Sequence, residues 1–260
     1  MGKLQTTKMN DHIYKVNETD ENGLNVDSYL VLGSKKAVVI DALQDNTDLY
    51  DEVKQLTDLP LSLLLTHGHP DHAGKSCKKF VENDIPVYMH VNDTSVLDLF
   101  EKDDWKEKLL PLNDLDTFEL GDRTLTTYTC FGHTPGSVVF FDEENEEIFT
   151  GDAIGSGGFW MQLDHSLSLQ EYLPHVEHLY DLVKDCKNLK IYLGHSGQSS
   201  TIPSLKYIED NIEATKLIIE GKLSSDVKTM HVGAQEIPYC SVSHGEIWDY
   251  CYNPNNIKKQ

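Results

Sequence analysis

The sequence predicts an α/β fold in which two β-sheets face each other and helices cover their outer sides. Three observations carry this. The first third alternates short apolar runs with amphipathic stretches, the middle of the chain turns to β, and a second helix–strand–helix stretch follows before a β-like tail. No Gly/Ser/Pro linker or low-complexity block divides the 260 residues. Residues 1–260 are therefore expected to form one domain, with a core over roughly 12–220 and a β-rich tail over 221–260.

In chain order, Tyr29 to Leu32 and Ala37 to Ile40 are short apolar runs separated by Gly33-Ser34-Lys35-Lys36, which reads as a hairpin. Asn46 to Asp58 carries Leu49, Val53 and Leu56 at helical spacing. Leu61 to Leu65 reads as a buried strand, Ala73 to Asn83 as a helix, Val87 to Met89 as a strand, and the region from Thr94 to Glu101 as a helix. A loop is expected around Pro111. Thr124 to Thr129, Ser137 to Phe141 and Glu147 to Thr150 are strand-like, the last two joined by the polar Asp142-Glu143-Glu144-Asn145. The helix Ser168 to Lys184 opens with a capping-box pattern, Ser168 with Glu171. The strand Leu189 to Leu193 and the helix Ser204 to Glu220 follow, and Lys228 to Tyr252 holds short β-like pieces.

Charge narrows the function. Against 22 Lys+Arg stand 43 Asp+Glu, a net charge of −21. Such a chain lacks the basic stripe that nucleic acid or an anionic membrane surface requires. No apolar run approaches the ~20 residues that span a bilayer, and Met1 to Val16 contains no signal-like apolar stretch. The five cysteines, Cys77, Cys130, Cys186, Cys240 and Cys251, are odd in number and never spaced as CxxC. That suits buried, reduced thiols in a cytoplasm and excludes a cysteine-bound structural zinc.

The sharpest feature is the apolar run Leu63-Leu64-Leu65 leading into Thr66-His67-Gly68-His69-Pro70-Asp71-His72. His67 and His69 sit two apart, so an extended chain points them the same way. Pro70 fits the first position of a helix, which would set Asp71 and His72 in the opening turn. Imidazole and carboxylate at this density suit Zn²⁺ or Fe²⁺. A polar loop would account for one histidine; it does not account for three with an aspartate directly after a buried strand. The same logic recurs where other strands end: Gly132-His133, Gly151-Asp152 and Gly194-His195, each glycine permitting a turn that a Cβ would hinder.

Asp41, the His67-x-His69-x-Asp71-His72 block, His133, Asp152 and His195 occur in the order seen in the metallo-β-lactamase superfamily, which the chain resembles over roughly residues 12 to 200. The resemblance implies a four-layer αβ/βα sandwich with a dinuclear metal site at one edge. It implies that His67, His69 and His133 hold one ion, that Asp71, His72 and His195 hold the other, and that Asp152 bridges them. Asp41 matches the aspartate that orients a histidine ligand from behind. Two divalent ions, +4, against Asp71, Asp152 and a bridging hydroxide, −3, leave a nearly neutral cluster whose burial is tolerable. Water between two such ions loses a proton near neutral pH, and no Gly-x-Ser-x-Gly elbow competes for the nucleophile's role.

Within that family, His69 departs from the glutamate of the diiron flavoproteins, and Asp152 departs from true β-lactamases. The acidic balance disfavours the nucleases. The β-like tail differs from the helical region that glyoxalase II uses for glutathione. A hydrolase of small esters, lactones or thioesters is the resulting expectation, using two Zn²⁺ (iron or manganese being the other candidates) with Asp71 also orienting the nucleophile. A mononuclear-iron persulfide dioxygenase, held by His67, His133 and Asp152, and a phosphodiesterase are the alternatives. The expected partner is a small-molecule substrate. The stretch Ile154 to Gln162 reads either as an aromatic substrate wall, through Phe159 and Trp160, or as a hydrophobic plug. His165, His231, Tyr239 and His244 have no assigned role and are expected at surface or core positions rather than in catalysis.

Overall fold

The computed structural model describes residues 3–19, 23, 25–44, 48–199, 202–232 and 235–258. Strands β1 (Lys3–Lys8), β2 (Ile13–Thr19), β3 (Asn25–Leu32) and β4 (Ala37–Ile40) pair antiparallel in sequence order. Helix α1 (Leu49–Leu56), strand β5 (Leu61–Leu64), helix α2 (Ser76–Glu82), strand β6 (Val87–His90), helix α3 (Thr94–Phe100) and strand β7 (Leu110–Leu112) then extend the same sheet in parallel, in the order β1-β2-β3-β4-β5-β6-β7. The second sheet begins with β8 (Thr117–Glu119), β9 (Thr124–Thr129), β10 (Val138–Asp142) and β11 (Glu147–Gly151). After β12 (Gly158–Met161) and α4 (Leu169–Val183), strand β13 (Lys190–Leu193) returns parallel to β11 and completes the order β13-β11-β10-β9-β8. Helix α5 (Leu205–Ile219) leads to β14 (Lys228–Val232), β15 (Gln235–His244) and β16 (Ile247–Tyr252).

The two sheets face each other because their strands are apolar on both sides, as sheets buried on both faces require. Val38, Ile40 and Leu64 point inward and meet Val138, Phe140 and Phe149 of the second sheet. One residue out of phase, Val39 and Leu63 point outward onto Leu49 and Val53 of α1 and Phe80 of α2. On the far side, Val139, Phe141 and Ile148 meet Tyr172 and Val176 of α4 and Ile208 of α5. The result is helix, sheet, sheet, helix: the αβ/βα sandwich.

A third sheet, β12-β16-β15-β14, was not expected. The stretch Ile154 to Gln162 contains β12, which pairs in parallel with β16, Phe159 opposite Tyr250 and Trp160 opposite Cys251. Alternation on that strand gives its two faces different surroundings, so the plug reading holds for one of them. Phe159 is fully buried between the Tyr172 and Tyr250 rings, while Trp160 faces outward and is 47% exposed. Other expectations shift by local physics. The first residues expected in helix α1, 46 and 47, lie outside the described residues. Pro111 belongs to β7, at the edge of its sheet, where a missing N–H costs no ladder bond. Pro70, Asp71 and His72 form a turn closed by Ala73 N–H on His69 O at 2.7 Å, and the helix proper starts only at Ser76. Strands β1 and β2 were not read from the sequence at all. The Ser168 capping box is present, with Ser168 Oγ accepting from Glu171 N–H at 3.3 Å. All five cysteines are free, and among the described residues no helix is long and apolar enough to cross a membrane.

Candidate metal centre

The side chains singled out by the sequence emerge from one edge of the facing sheets. β5 delivers His67, His69, Asp71 and His72; the turn between β9 and β10 delivers His133; Asp152 follows β11 and His195 follows β13. The two sheets are joined at this edge by Val138 N–H donating to Thr66 O at 2.9 Å. His67, His69 and His133 form one group and Asp71, His72, Asp152 and His195 a second, the donor atoms within each lying no more than 4.8 Å apart. Asp152 stands between them, its Oδ2 3.2 Å from His195 Nε2 and 3.7 Å from His133 Nε2.

Hydrogen bonds behind the histidines decide which nitrogen each presents. The Thr66 hydroxyl donates to Asp41 Oδ2 at 2.8 Å, so His67 Nδ1–H must donate to Thr66 Oγ1 at 3.0 Å. His72 Nδ1–H donates to Asp41 Oδ2 at 2.8 Å, His133 Nδ1–H to Trp160 O at 2.7 Å, and His195 Nδ1–H to Asn25 O. The Nε2 lone pairs of all four therefore face the cluster. His69 is turned the other way, with Nδ1 inward and Nε2 outward.

This arrangement fits metal ions and little else. His69 Nδ1 and His133 Nε2 are 2.9 Å apart, and His72 Nε2 and His195 Nε2 are 3.3 Å apart. His67 Nε2 in the first group and Asp152 Oδ1 in the second are buried with no hydrogen-bond partner, a costly state unless a cation completes it. Three imidazoles on one side, and two imidazoles with two carboxylates on the other, are a donor set for Zn²⁺ or Fe²⁺.

Electrostatics agree. Burial pushes His67 and His69 well below the ordinary imidazole value, with neighbouring histidines adding to it, so both remain neutral and able to ligate. For His72 burial acts in the same direction, yet Asp152, Asp41 and Asp71 outweigh it and raise the group to about 9. His195 is likewise raised against its burial, by Asp152 and Asp71. Asp71 and Asp152, despite burial, are held below the usual carboxylate range by His72 and His195. The second group thus attracts positive charge, and a divalent ion entering it displaces protons.

Comparison with known proteins bears on the same edge. Residues 22–195 match the family model of the metallo-beta-lactamase superfamily, a span that holds every residue of both groups. The chain belongs to the metallo-beta-lactamase superfamily. An acyl-coenzyme A thioesterase MBLAC2 from Gallus gallus is 28% identical over 210 residues, covering 67% of this chain and 74% of that protein. A hydroxyacylglutathione hydrolase GloC from Haemophilus influenzae is 30% identical over 141 residues, 48% of this chain and 64% of its own length. Among solved structures, a metallo-beta-lactamase from Pontibacter korlensis aligns with a TM-score of 0.65 at 16% identity, over 82% of this chain and 99% of that one. That likeness speaks to the fold. Both of these relatives are named as hydrolases, and this chain is a metallo-hydrolase of the superfamily.

Beside the metallo-beta-lactamase site lies a cavity of about 240 Å³. His69, Asp71, His133, Asp152 and His195 form its floor, and Phe100, Trp160, Leu163 and Val232 supply apolar walls. Three contributors were not found from the sequence. His165, which has no assigned role in the sequence reading, lines the cavity and meets His69 Nε2 at 2.6 Å. Burial, with His133 adding to it, lowers His165 to about 4, so it is neutral at neutral pH. Thr66 links His67 to Asp41. Asp93, fully buried, accepts from Gly68 N–H and Thr134 Oγ1 at 2.7 Å each and from Gly136 N–H at 2.5 Å, clipping the His67–His69 turn to the His133 turn. Only Thr66, inside the motif, carried any sequence signal. His231 is exposed, and His244 Nε2 pairs with Glu213 at 3.1 Å, outside both donor groups.

The glycines before the ligands act in two ways. Gly151 adopts φ +48°, a left-handed turn that a side chain resists. At Gly132 and Gly194 the reason is space rather than the turn expected there. A Cβ on Gly132 would lie 2.2 Å from the Tyr172 ring, and one on Gly194 would lie 2.5 Å from Asp152 Oδ1.

Proposed function

We propose that the enzyme binds two zinc ions and hydrolyses small, largely apolar acyl substrates, with thioesters the leading class and lactones and simple esters next. The observation that carries this is the juxtaposition of two complete donor groups, bridged by Asp152, with an apolar cavity opening directly onto them. Relatives named as an acyl-coenzyme A thioesterase and a hydroxyacylglutathione hydrolase support an acyl compound as substrate. A full second group of Asp71, His72 and His195 favours two ions over the single iron of a dioxygenase.

Divalent ions held by His67, His69 and His133 and by Asp71, His72, Asp152 and His195 would supply Lewis acidity for activating water and polarising an acyl carbonyl. The chain's residues do the rest. Asp71 is one-fifth exposed at the cavity floor and kept ionised by His72 and His195, so it accepts a hydrogen bond from the attacking water and aims it. Phe100, Trp160 and Leu163 hold the acyl group and exclude bulk water. Trp160 has two roles: its carbonyl fixes His133, and its ring forms the wall.

The deciding experiment pairs elemental analysis with a panel of thioesters, lactones and phosphodiesters assayed side by side. About two zinc ions per chain with thioester turnover are expected. One iron per chain with sulfur-dependent oxygen uptake would overturn the reading, as would turnover confined to phosphodiesters.

A further inference from the structure

Four of the five metal-facing histidines have their outer nitrogen tied to a group with a fixed hydrogen-bonding role. Asp41 holds His72, Thr66 holds His67, and backbone carbonyls hold His133 and His195. His69 differs in both orientation and partner. It must present Nδ1 to the metal, so its Nε2 carries the proton and needs an acceptor on the cavity side. The atom found there is Nε2 of His165, 2.6 Å away.

We infer that His165 is a positioning residue for the first metal: its Nε2 lone pair accepts the His69 Nε2–H and thereby holds His69 in the tautomer that ligates through Nδ1. Were His165 absent, His69 could place its proton on Nδ1 and donate it to His133 Nε2, 2.9 Å away, closing the first group against a metal.

The surroundings of His165 are built for this task. Ser166 Oγ donates to His133 O at 2.9 Å, and Leu167 N–H donates to Gly132 O at 2.9 Å. Asn256 Nδ2 in turn donates to Ser166 O at 2.9 Å. With Trp160 O on His133 Nδ1, residues 160–167 contact the first group at several points, while the pairing of β12 with β16 anchors their start. The segment after the bridging aspartate is thus an outer brace of the first metal as well as a substrate wall, and His165 is its one side chain that bonds directly to a ligand side chain.

The test compares His165→Gln with His165→Met. The two side chains are close in length and volume, but only the first offers an oxygen to accept from His69. Zinc affinity is read by competition with a chromophoric chelator that separates the tighter from the weaker site, and urea unfolding of the metal-free variants serves as a control. Outer partners of ligating histidines are typically worth about 10–100-fold in metal affinity. His165→Met should weaken one zinc by that factor and leave the other near wild type, and His165→Gln should recover most of the loss. Wild-type affinity in His165→Met, or equal losses in both variants, would overturn the assignment. If either variant unfolds more readily without metal, the difference in zinc affinity between Gln and Met still decides the question, because the lost packing is common to both.

Discussion

Substituting Asp41 by asparagine should weaken both metals at once, although Asp41 binds neither. Its buried carboxylate accepts from Thr66 N–H at 2.7 Å through Oδ1, and from Thr66 Oγ1 and His72 Nδ1, each at 2.8 Å, through Oδ2. Thr66 Oγ1 in turn receives His67 Nδ1–H. One carboxylate therefore orients a ligand of each group. Asparagine keeps the shape and tolerates the left-handed φ of 61° at this position. Its amide nitrogen, however, must face either Thr66 N–H or the pair of donors at Oδ2. In both orientations at least one buried donor loses its acceptor, a cost of about 1–3 kcal/mol. For the metals, the loss of such an outer partner corresponds to about 10–100-fold in affinity. Chelator competition on Asp41→Asn should show both zinc constants weakened. Thr66→Val should weaken chiefly the ion bound by His67, since His72 keeps its direct bond to Asp41. Should Asp41→Asn affect only one site, or neither, the reasoning that Asp41 reaches His67 through Thr66 fails.

Four further outcomes follow from the site. Asp71→Asn should lower kcat by about 100-fold or more while zinc content falls much less, because aiming the water needs the carboxylate; parallel losses of zinc and kcat would reduce Asp71 to a ligand. Trp160→Ala should cut kcat/KM about tenfold or more by removing apolar contact, with two zinc ions retained because the hydrogen bond to His133 comes from the backbone carbonyl of Trp160, which alanine keeps; unchanged kinetics would put the substrate wall elsewhere. Gly194→Ala should cost one zinc per chain, since its methyl would lie 2.5 Å from Asp152 Oδ1 and 2.6 Å from His72 Cε1, and full occupancy would contradict that crowding. Metal-free protein should be most stable near pH 6.5. Raised His72 and His195 contribute stability that is complete below the unfolded histidine value and fades as pH climbs, for His72 through about 9. Lowered His67 and His69 contribute stability that is present above that value and fades as pH falls below it. Urea midpoints at pH 5.5, 6.5 and 8.5 check this, and a higher midpoint at 8.5 than at 6.5 would contradict it.

The elements that could be read from sequence are those whose reason for existing is local. Leu61–Leu64 is a strand because three of its four residues, Leu61, Leu63 and Leu64, are apolar and buried, and Leu169–Val183 is a helix because Ser168 and Glu171 cap it within one turn. β1 and β2 show what is lost without local cause. KLQTTK has no apolar run, and it becomes a strand because β2 lies beside it, Leu4 opposite Glu18 and Thr6 opposite Val16. β12 is a sharper case: four residues that include a glycine become a strand only because β16, from the far end of the chain, supplies the ladder.

The metal centre divides along the same line. Inner donors are side chains that must be histidine or aspartate and must sit where strands end, so their identity and order show in the text of the sequence. The outer partners have no such signature. Two are backbone carbonyls, Trp160 O and Asn25 O, which any residue could supply. Asp93 is an ordinary aspartate beside a short helix until the fold brings Gly68 and Gly136 to it. His165 belongs to no motif in the sequence; it reaches His69 only once β12 has paired and Ser166 has docked on the His133 turn. The inner donors determine that metals bind, and the outer partners determine which nitrogen each histidine offers. Variants of the outer residues should therefore shift metal affinity through tautomer and orientation while leaving every donor atom in place, a loss that inspection of the motif alone would never anticipate.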